Sequence, residues 1–301
     1  MNLPWPLHFL KVFGLKRLAG IETPLLAGFK LTHRCNLRCR HCPFWREAGD
    51  DMPWSRVEAT LRDLRRRGVG LVIFEGGEPL LWRDGSLRFD RVVEAARSLF
   101  CSVGVTTNGT LPFDHLAADV IWVSLDGPKE IHDRVRGPSF ERAMENIDRA
   151  RGRNVYANVT VNRENASEIP GLVRDLKGRV RGVTVQLHYP YGRGEEDLTL
   201  PPPQRHRLLD ELAELKAAGF PVAVSRAGLR ALRKNTWKCH DFLIANAEPD
   251  GSVHTGCYVK SRGEVNCAAC GFAAHTEISL AFDLHIPSLL SGWRIFRYRW
   301  F

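Results

Sequence analysis

Six short runs rich in Val and Ile recur along the first two-thirds of the chain, and helix-patterned stretches separate most of them. The runs Gly28–Thr32, Val69–Phe74, Ser102–Thr106, Val120–Leu125, Val155–Val161 and Gly182–Leu187 alternate poorly between apolar and polar residues. That pattern belongs to strands buried on both faces, as in parallel sheets. Helical spacing predicts helices over Trp54–Arg67, Phe89–Leu99, Phe140–Arg151 and Glu168–Lys177. Alternating strands and helices imply βαβ units. Eight such units close a TIM barrel, and the six counted here up to Tyr189 predict an α/β fold with a partial (β/α)6 TIM-like barrel.

The pattern changes after Tyr191. The stretch GRGEEDLTLPPP is a connector, Gln204–Ala218 is helical, and Trp237–Thr276 carries four cysteines with little periodicity. The last of these suits a small module in which ligand bonds replace a core. The expected divisions are an N-terminal extension (1–26), the barrel (27–200), a helical connector (201–236), the cysteine-rich module (237–280) and an amphipathic tail (281–301).

A formal net charge of +9 would suit an anionic partner, but the densest run, Arg62–Arg67, reads as a solvated helix face. No nucleic-acid-binding pattern is present, so no nucleic-acid partner is expected. The eight cysteines are clustered rather than spread as a disulfide framework, which points to metal ligation in a reducing, cytoplasmic compartment. No apolar run reaches the ~18 residues of a membrane span.

The segment LTHRCNLRCRHCPFW spaces Cys35, Cys39 and Cys42 directly after a predicted strand. Three thiolates leave one metal position open, which is the logic of a reactive centre, although three close cysteines also suit a zinc knot. This spacing resembles the signature of the radical S-adenosylmethionine (SAM) superfamily. The resemblance implies a 4Fe–4S cluster that binds and reductively cleaves SAM, and a 5′-deoxyadenosyl radical that abstracts hydrogen from a substrate.

Later motifs sit at successive strand ends. EGGEP supplies Gly76 and Gly77, whose backbones can approach a ligand, and Glu78, a carboxylate suited to an ammonium group. TTNG supplies Thr107 and Asn108, VSLDG supplies Ser124, and IHDRVRG supplies Arg136. A hydroxyl and a guanidinium suit the polar groups of SAM. VTVNREN adds Asn162. The resemblance assigns these residues to SAM binding. HYPYG closes the sixth unit, so His188, Tyr189 and Tyr191 are either substrate-side donors or aromatics bridging barrel and module.

Cys239, Cys257, Cys267 and Cys270 can fully ligate a second 4Fe–4S cluster or a zinc ion. They resemble the shortened, one-cluster relative of the SPASM extension called twitch, with fewer cysteines than the full set and a longer gap from Gly251 to Cys257. Cys101 matches neither group and reads as an apolar thiol. At the C-terminus, Leu289, Trp293, Phe296 and Trp300 share a helical stripe. With Trp5, Phe9, Val12 and Phe13 near the N-terminus, they allow either internal packing or peripheral contact at the inner face of a membrane.

The expected substrate is a lipid or small metabolite, or a peptide or protein. The ~26 residues before the first strand are too few for a separate leader-peptide-binding domain. The expected reductant is a one-electron carrier such as flavodoxin or ferredoxin. The rival reading is a non-catalytic zinc or iron–sulfur binding protein.

Overall fold

A computed structural model describes residues 4–47, 49–260 and 262–296. Its strands are β1 (Leu26–Lys30), β2 (Leu71–Glu75), β3 (Arg83–Asp84), β4 (Leu87–Arg88), β5 (Ser102–Thr107), β6 (Val120–Ser124), β7 (Val155–Val161), β8 (Gly182–Leu187), β9 (Ile244–Ala247) and β10 (Val253–Thr255). Its helices are α1 (Trp5–Ala19), α2 (Trp54–Arg66), α3 (Phe89–Leu99), α4 (Lys129–Arg136), α5 (Phe140–Arg149), α6 (Ile169–Asp175), α7 (Pro202–Ala217), α8 (Arg226–Lys234), α9 (Ala273–Phe282) and α10 (Ile286–Ile295).

Eight strands form one sheet in the order β10-β9-β1-β2-β5-β6-β7-β8, and all its pairings except β10 with β9 are parallel. The sheet has two edges and is therefore a partial barrel. The six sequence-derived strands are all present, with small shifts. β1 ends at Lys30 because Thr32 turns its hydroxyl to the Arg34 N–H and starts the next loop. β2 begins at Leu71 because the Val69 N–H closes the end of α2 on the Leu64 carbonyl. β9 and β10 were not anticipated. β9 pairs with β1, so the cysteine-rich stretch adds strands to the same sheet.

Register decides what faces the bore. Toward the strand C-termini the cavity wall carries Glu75, Thr106, Ser124, Asn158, Thr160 and Gln186. Toward the N-termini it carries Leu26, Leu71, Ile73 and Ile244. The opposite faces, with Val72, Phe74, Val103, Val105 and Val159, lie in the main core with Leu61, Leu64 and Val92 of the outer helices. Each such fully buried side chain stabilises the fold by about 1.5–3 kcal/mol. α9 covers the flank of β8, where the Leu187 N–H donates to the Gly271 carbonyl. α1 and α10 floor the bore through Trp5, Phe9 and Phe296, in an apolar cluster with Leu25, Leu71 and Ile244.

Candidate functional site

The loop after β1 carries Cys35, Cys39 and Cys42, and all three line the cavity at the C-terminal ends of the strands. The chain's own groups brace this loop. Arg34 donates through Nε to Asp51 Oδ1 at 2.9 Å and through Nη2 to the Leu81 carbonyl at 2.6 Å. The Arg40 N–H donates to the Val135 carbonyl of α4 at 2.8 Å. Gly77 lies so close to the loop that an added Cβ would overlap the Arg34 carbonyl oxygen, so only glycine fits there. The Gly77 and Glu78 N–H groups donate to the Thr32 and Arg34 carbonyls.

Glu78 differs from its sequence expectation. It is fully buried off the cavity wall, and its carboxylate accepts from Thr107 Oγ1 at 2.8 Å, the Asn108 N–H at 2.7 Å and the Leu80 N–H at 3.2 Å. Burial pushes its pKa up to about 7, while these donors pull it down. Glu78 therefore shapes the Thr107–Asn108 turn instead of offering a free carboxylate. Gly76, Gly77, Thr107 and Asn108 remain on the wall. The Asn108 amide donates to Asn36 Oδ1 at 2.8 Å and approaches Cys35 Sγ at 3.9 Å.

Ser124 lines the wall from the end of β6. Arg136, from α4, is also on the wall, but its Nε donates to the fully buried Asp126 at 2.6 Å and its Nη1 lies 3.8 Å from Cys39 Sγ. Asp126 additionally accepts from the Thr160 N–H at 2.8 Å. The neighbouring Arg136 and these donors hold the Asp126 carboxyl below its usual range despite burial. His132 Nδ1 accepts from the Asp126 N–H at 3.2 Å, so its Nε2–H points to Ser139 at 3.0 Å. Asp133 accepts from the Ser139 and Phe140 N–H groups and starts α5. The HD-x-x-RG run thus folds one turn and sets Arg136 against Cys39. Asp126, inside VSLDG, was within sight of sequence reasoning but was not singled out.

The structure keeps Asn162 away from the cavity. It is fully buried beyond the end of β7, with Oδ1 accepting from the Glu164 N–H at 2.8 Å. Asn158 and Thr160, earlier on β7, reach the wall instead.

His188, Tyr189 and Tyr191 line the same cavity. His188 Nε2 meets the Glu195 carbonyl at 3.1 Å, and burial lowers its pKa. The Tyr189 hydroxyl donates to the Glu264 carbonyl at 2.8 Å and accepts from the Asn266 N–H at 2.7 Å, while its ring stacks on Phe272. Tyr189 is thus the bridge between barrel and cysteine-rich segment. Tyr191 packs edge-on against Phe44, and burial raises its pKa.

A charged cluster that sequence reasoning missed lies beside these residues. Lys30 is buried in β1, with Nζ 3.2 Å from Glu75, 3.6 Å from Glu248 and 4.7 Å from the Tyr258 ring centre. Arg262 donates to Glu248 at 2.6 Å, and its guanidinium lies 3.7 Å from the same ring centre. Burial lowers the Lys30 pKa, although the carboxylates oppose the shift. Only Glu75 had a local signal, as the residue that opens EGGEP.

Cys239, Cys257, Cys267 and Cys270 are brought from separate segments near enough for their charges to interact. Burial, Asp241 and then the other three thiols push the Cys239 pKa up to about 12. Four cysteines suit one closed centre, whose positive charge would offset that of four thiolates. At the first site burial likewise pushes Cys39 up to about 11, opposed by Arg136. Among the described residues no three His, Cys, Asp or Glu side chains converge tightly enough for a single metal ion. That holds for both cysteine sets, and three thiols on a cavity wall leave one side of a bound centre open. Cys101 packs in the floor cluster, away from both sets.

A partial parallel barrel with three cysteines on its first strand-to-helix loop defines a class of cluster-dependent enzyme folds. The radical SAM superfamily profile matches residues 29–176. The chain is 30% identical to mycofactocin maturase MftC of Mycolicibacterium smegmatis, over 91% of this chain and 84% of that protein. It therefore belongs to the radical SAM superfamily. It is 28% identical to Fe-coproporphyrin III synthase of Methanosarcina barkeri, over 65% of this chain, and spans about half (53%) of that protein's length. In fold it resembles Streptococcus suis SuiB bound to S-adenosylmethionine, with a TM-score of 0.68 and 15% identity over 93% of this chain and 70% of that one. No helix among the described residues is long and apolar enough to cross a membrane.

Proposed function

We propose that the protein is a radical SAM enzyme with two 4Fe–4S clusters, one held by Cys35, Cys39 and Cys42 and an auxiliary one held by Cys239, Cys257, Cys267 and Cys270. The observation that carries this reading is a single cavity whose wall joins the first three cysteines to Gly76, Gly77, Thr107, Asn108, Ser124 and Arg136. When bound, the first cluster supplies one electron to break the C5′–S bond of SAM, giving methionine and a 5′-deoxyadenosyl radical that takes a hydrogen atom from substrate. The backbone at Gly76–Gly77 receives the amino group of SAM. Ser124, Asn158 and Thr160 offer its polar groups neutral hydrogen-bond partners, in place of Asn162. Arg136, fixed by Asp126, orients Cys39 and offsets thiolate charge. Tyr191 and His188 face the substrate.

The cations Arg38 and Arg46 flank Trp45 beside the cysteine loop, with centres 5.3 and 4.9 Å from its ring. They suit an acidic one-electron carrier of the flavodoxin or ferredoxin kind. The relatives' names divide the substrate class between peptides and tetrapyrroles. The outer faces of α1 and α10 support a peripheral contact with an anionic membrane surface.

Anaerobic reconstitution tests the reading. About eight irons per chain, and 5′-deoxyadenosine formed from SAM on reduction, are expected. Stoichiometric zinc without SAM cleavage would instead identify a non-catalytic metal-binding protein.

A further inference from the structure

The cavity does not end beneath the cysteines. One continuous space of about 390 Å³ runs from Cys35, Cys39 and Cys42 to Trp5, Phe9, Gly292 and Phe296 on the floor helices. Its wall changes character along the way. Near the cysteines the inward residues are Thr106, Ser124, Asn158, Thr160 and Gln186, whereas below them Ile73, Trp122, Ala223, Ile244 and Ala281 predominate over Ser288 and Ser291. A seven-residue strand such as β7 spans about 20 Å, so the lower half is about 10 Å deep and takes a short extended segment of an apolar chain. Small-molecule sites are apolar clefts of ~300–1,000 Å³ with few polar groups that fix orientation, and this bore has that form, its polar groups densest near the cysteines and a smaller set, Thr184, Glu277, Ser288 and Ser291, lower down.

The floor is also unusual on its outer side. Eight of the nine exposed large hydrophobic residues among the described residues lie within Leu7–Ile21 and Leu284–Trp293. Leu7, Leu10 and Leu18 stand outward on α1, and Ile286, Leu290 and Trp293 on α10. The α1 and α10 sequences contain no acidic residue, and Lys11 and Arg294 are exposed among the apolar ones. The same two helices therefore seal the lower, mainly apolar end of the bore and present apolar, basic outer faces. This is where a chain that partitions into lipid would enter or leave.

We infer that the substrate carries an acyl- or isoprenoid-like apolar chain, which lies in the lower bore with its end at the α1–α10 floor and its polar end below the cysteines. The inference rests on the catalytic reading for the placement of the reacting end. It narrows the substrate class, since a purely polar peptide leaves the lower bore unfilled.

The test uses the reconstituted full chain and a photoreactive probe, palmitic acid with a terminal diazirine. The probe is supplied either free or in vesicles of phosphatidylglycerol and phosphatidylcholine. Saturable labelling at the bore-lining residues Trp5, Phe9, Gly292, Ile295 and Phe296, displaced by unlabelled palmitate, is expected. Ala281→Trp, which fills the bore, is expected to lower labelling by about fivefold or more. If that variant fails to fold by circular dichroism, displacement and mapping on the wild-type chain decide. Stronger labelling from vesicles than from free acid assigns the source to a bilayer, and the reverse assigns it to solution; either supports the bound chain. Labelling confined to Leu7, Leu18 and Trp293, or not displaced by palmitate, overturns it. SAM cleavage is measured on the same preparation. Cleavage without displaceable labelling removes this inference alone, and displaceable labelling without cleavage removes the catalytic reading alone.

Discussion

The two cysteine sets have the same chemistry and opposite foundations. Around Cys35, Cys39 and Cys42, the protein has already built the site. Arg34 is tied to Asp51, Asn108 to Asn36 and Arg136 to Asp126, and Cys39 is itself buried. Around the second set, Cys239 and Cys267 are exposed, and Val259 is the only buried hydrophobic residue described between Ala247 and Ala273. The first loop is held by buried ion pairs and hydrogen bonds whether or not a metal is present. The second segment has little apolar burial and is held by hydrogen bonds with Tyr189, Arg205 and Asn235, to which metal–thiolate bonds would add. On the proposed assignment, one site is a fold that would receive a cluster and the other a fold that a cluster would complete.

The sharpest way to break this comparison is to remove ligands from each set. Cys35→Ala, Cys39→Ala or Cys42→Ala is expected to lower 5′-deoxyadenosine formation by ~100-fold or more while leaving the thermal midpoint nearly unchanged, because the brace survives. Cys257→Ala or Cys270→Ala is expected to do the reverse in stability, lowering the midpoint by several degrees, with SAM cleavage retained in part. Iron content, calorimetry and product chromatography on all five variants check this. Equal stability losses at both sets would dissolve the distinction.

The next largest effect concerns the brace. Asp126→Ala leaves the Arg136 guanidinium buried without its carboxylate and is expected to cost about 3–5 kcal/mol. Near the second set, Lys260 pairs with Asp241 at 2.6 Å on the surface, and Lys260→Ala is expected to cost under about 1 kcal/mol. Urea denaturation of both variants measures the difference.

The same contrast explains what the sequence disclosed. β7 and β8 follow their sequence-derived bounds because each is a Val-rich run that pairs with its neighbour in the chain. β9 was missed because Ile244–Ala247 is only four residues and is held in place by pairing with β1 at Leu26–Phe29, more than 200 residues away. Local pattern carries no trace of such a partner. The three cysteines and the glycines beside them were legible because their spacing is local. The target of Glu78 was not, since Thr107 and Asn108 claim it only after β5 folds beside β2. Lys30, Glu248 and Arg262 are drawn together from three separate segments for the same reason. The C-terminal stripe divides. Leu289 and Phe296 turn toward the core and Trp293 stays 57% exposed, while Trp300 lies outside the described residues.

Removing iron probes the contrast without mutation. After anaerobic chelation, amide hydrogen exchange across 257–270 is expected to accelerate by about tenfold or more, because local opening there loses its ligand bonds. Exchange in the strand and bonded turns around Leu26–Thr32 and Gly77–Glu78 is expected to change little. Comparable acceleration in both places would mean that the first loop also depends on its cluster.

A further contrast is set by pH, and it compares one buried histidine from each region. Burial lowers both His132, which supports Asp126, and His275, on α9 beside the second set, from 6.5 to about 4. Above pH 6.5 both are neutral in folded and unfolded chains, so neither makes stability depend on pH. As pH falls below 6.5 the unfolded chain takes up protons that the folded one refuses, and stability falls until about pH 4. Across that window each histidine removes at most about 1.4 kcal/mol for every step of one in pH. His132→Asn is expected to remove part of this acid slope between pH 5 and 7, at a constant cost of about 1–3 kcal/mol for its lost hydrogen bonds to Asp126 and Ser139. His275→Phe keeps the ring contact with Phe272 and is expected to flatten the slope at a smaller cost. Urea midpoints for the wild type and both variants across that range separate the two. If His275→Phe proves the more costly, the second region is held by more than its metal, and the division between a built site and a metal-made one loses its energetic basis.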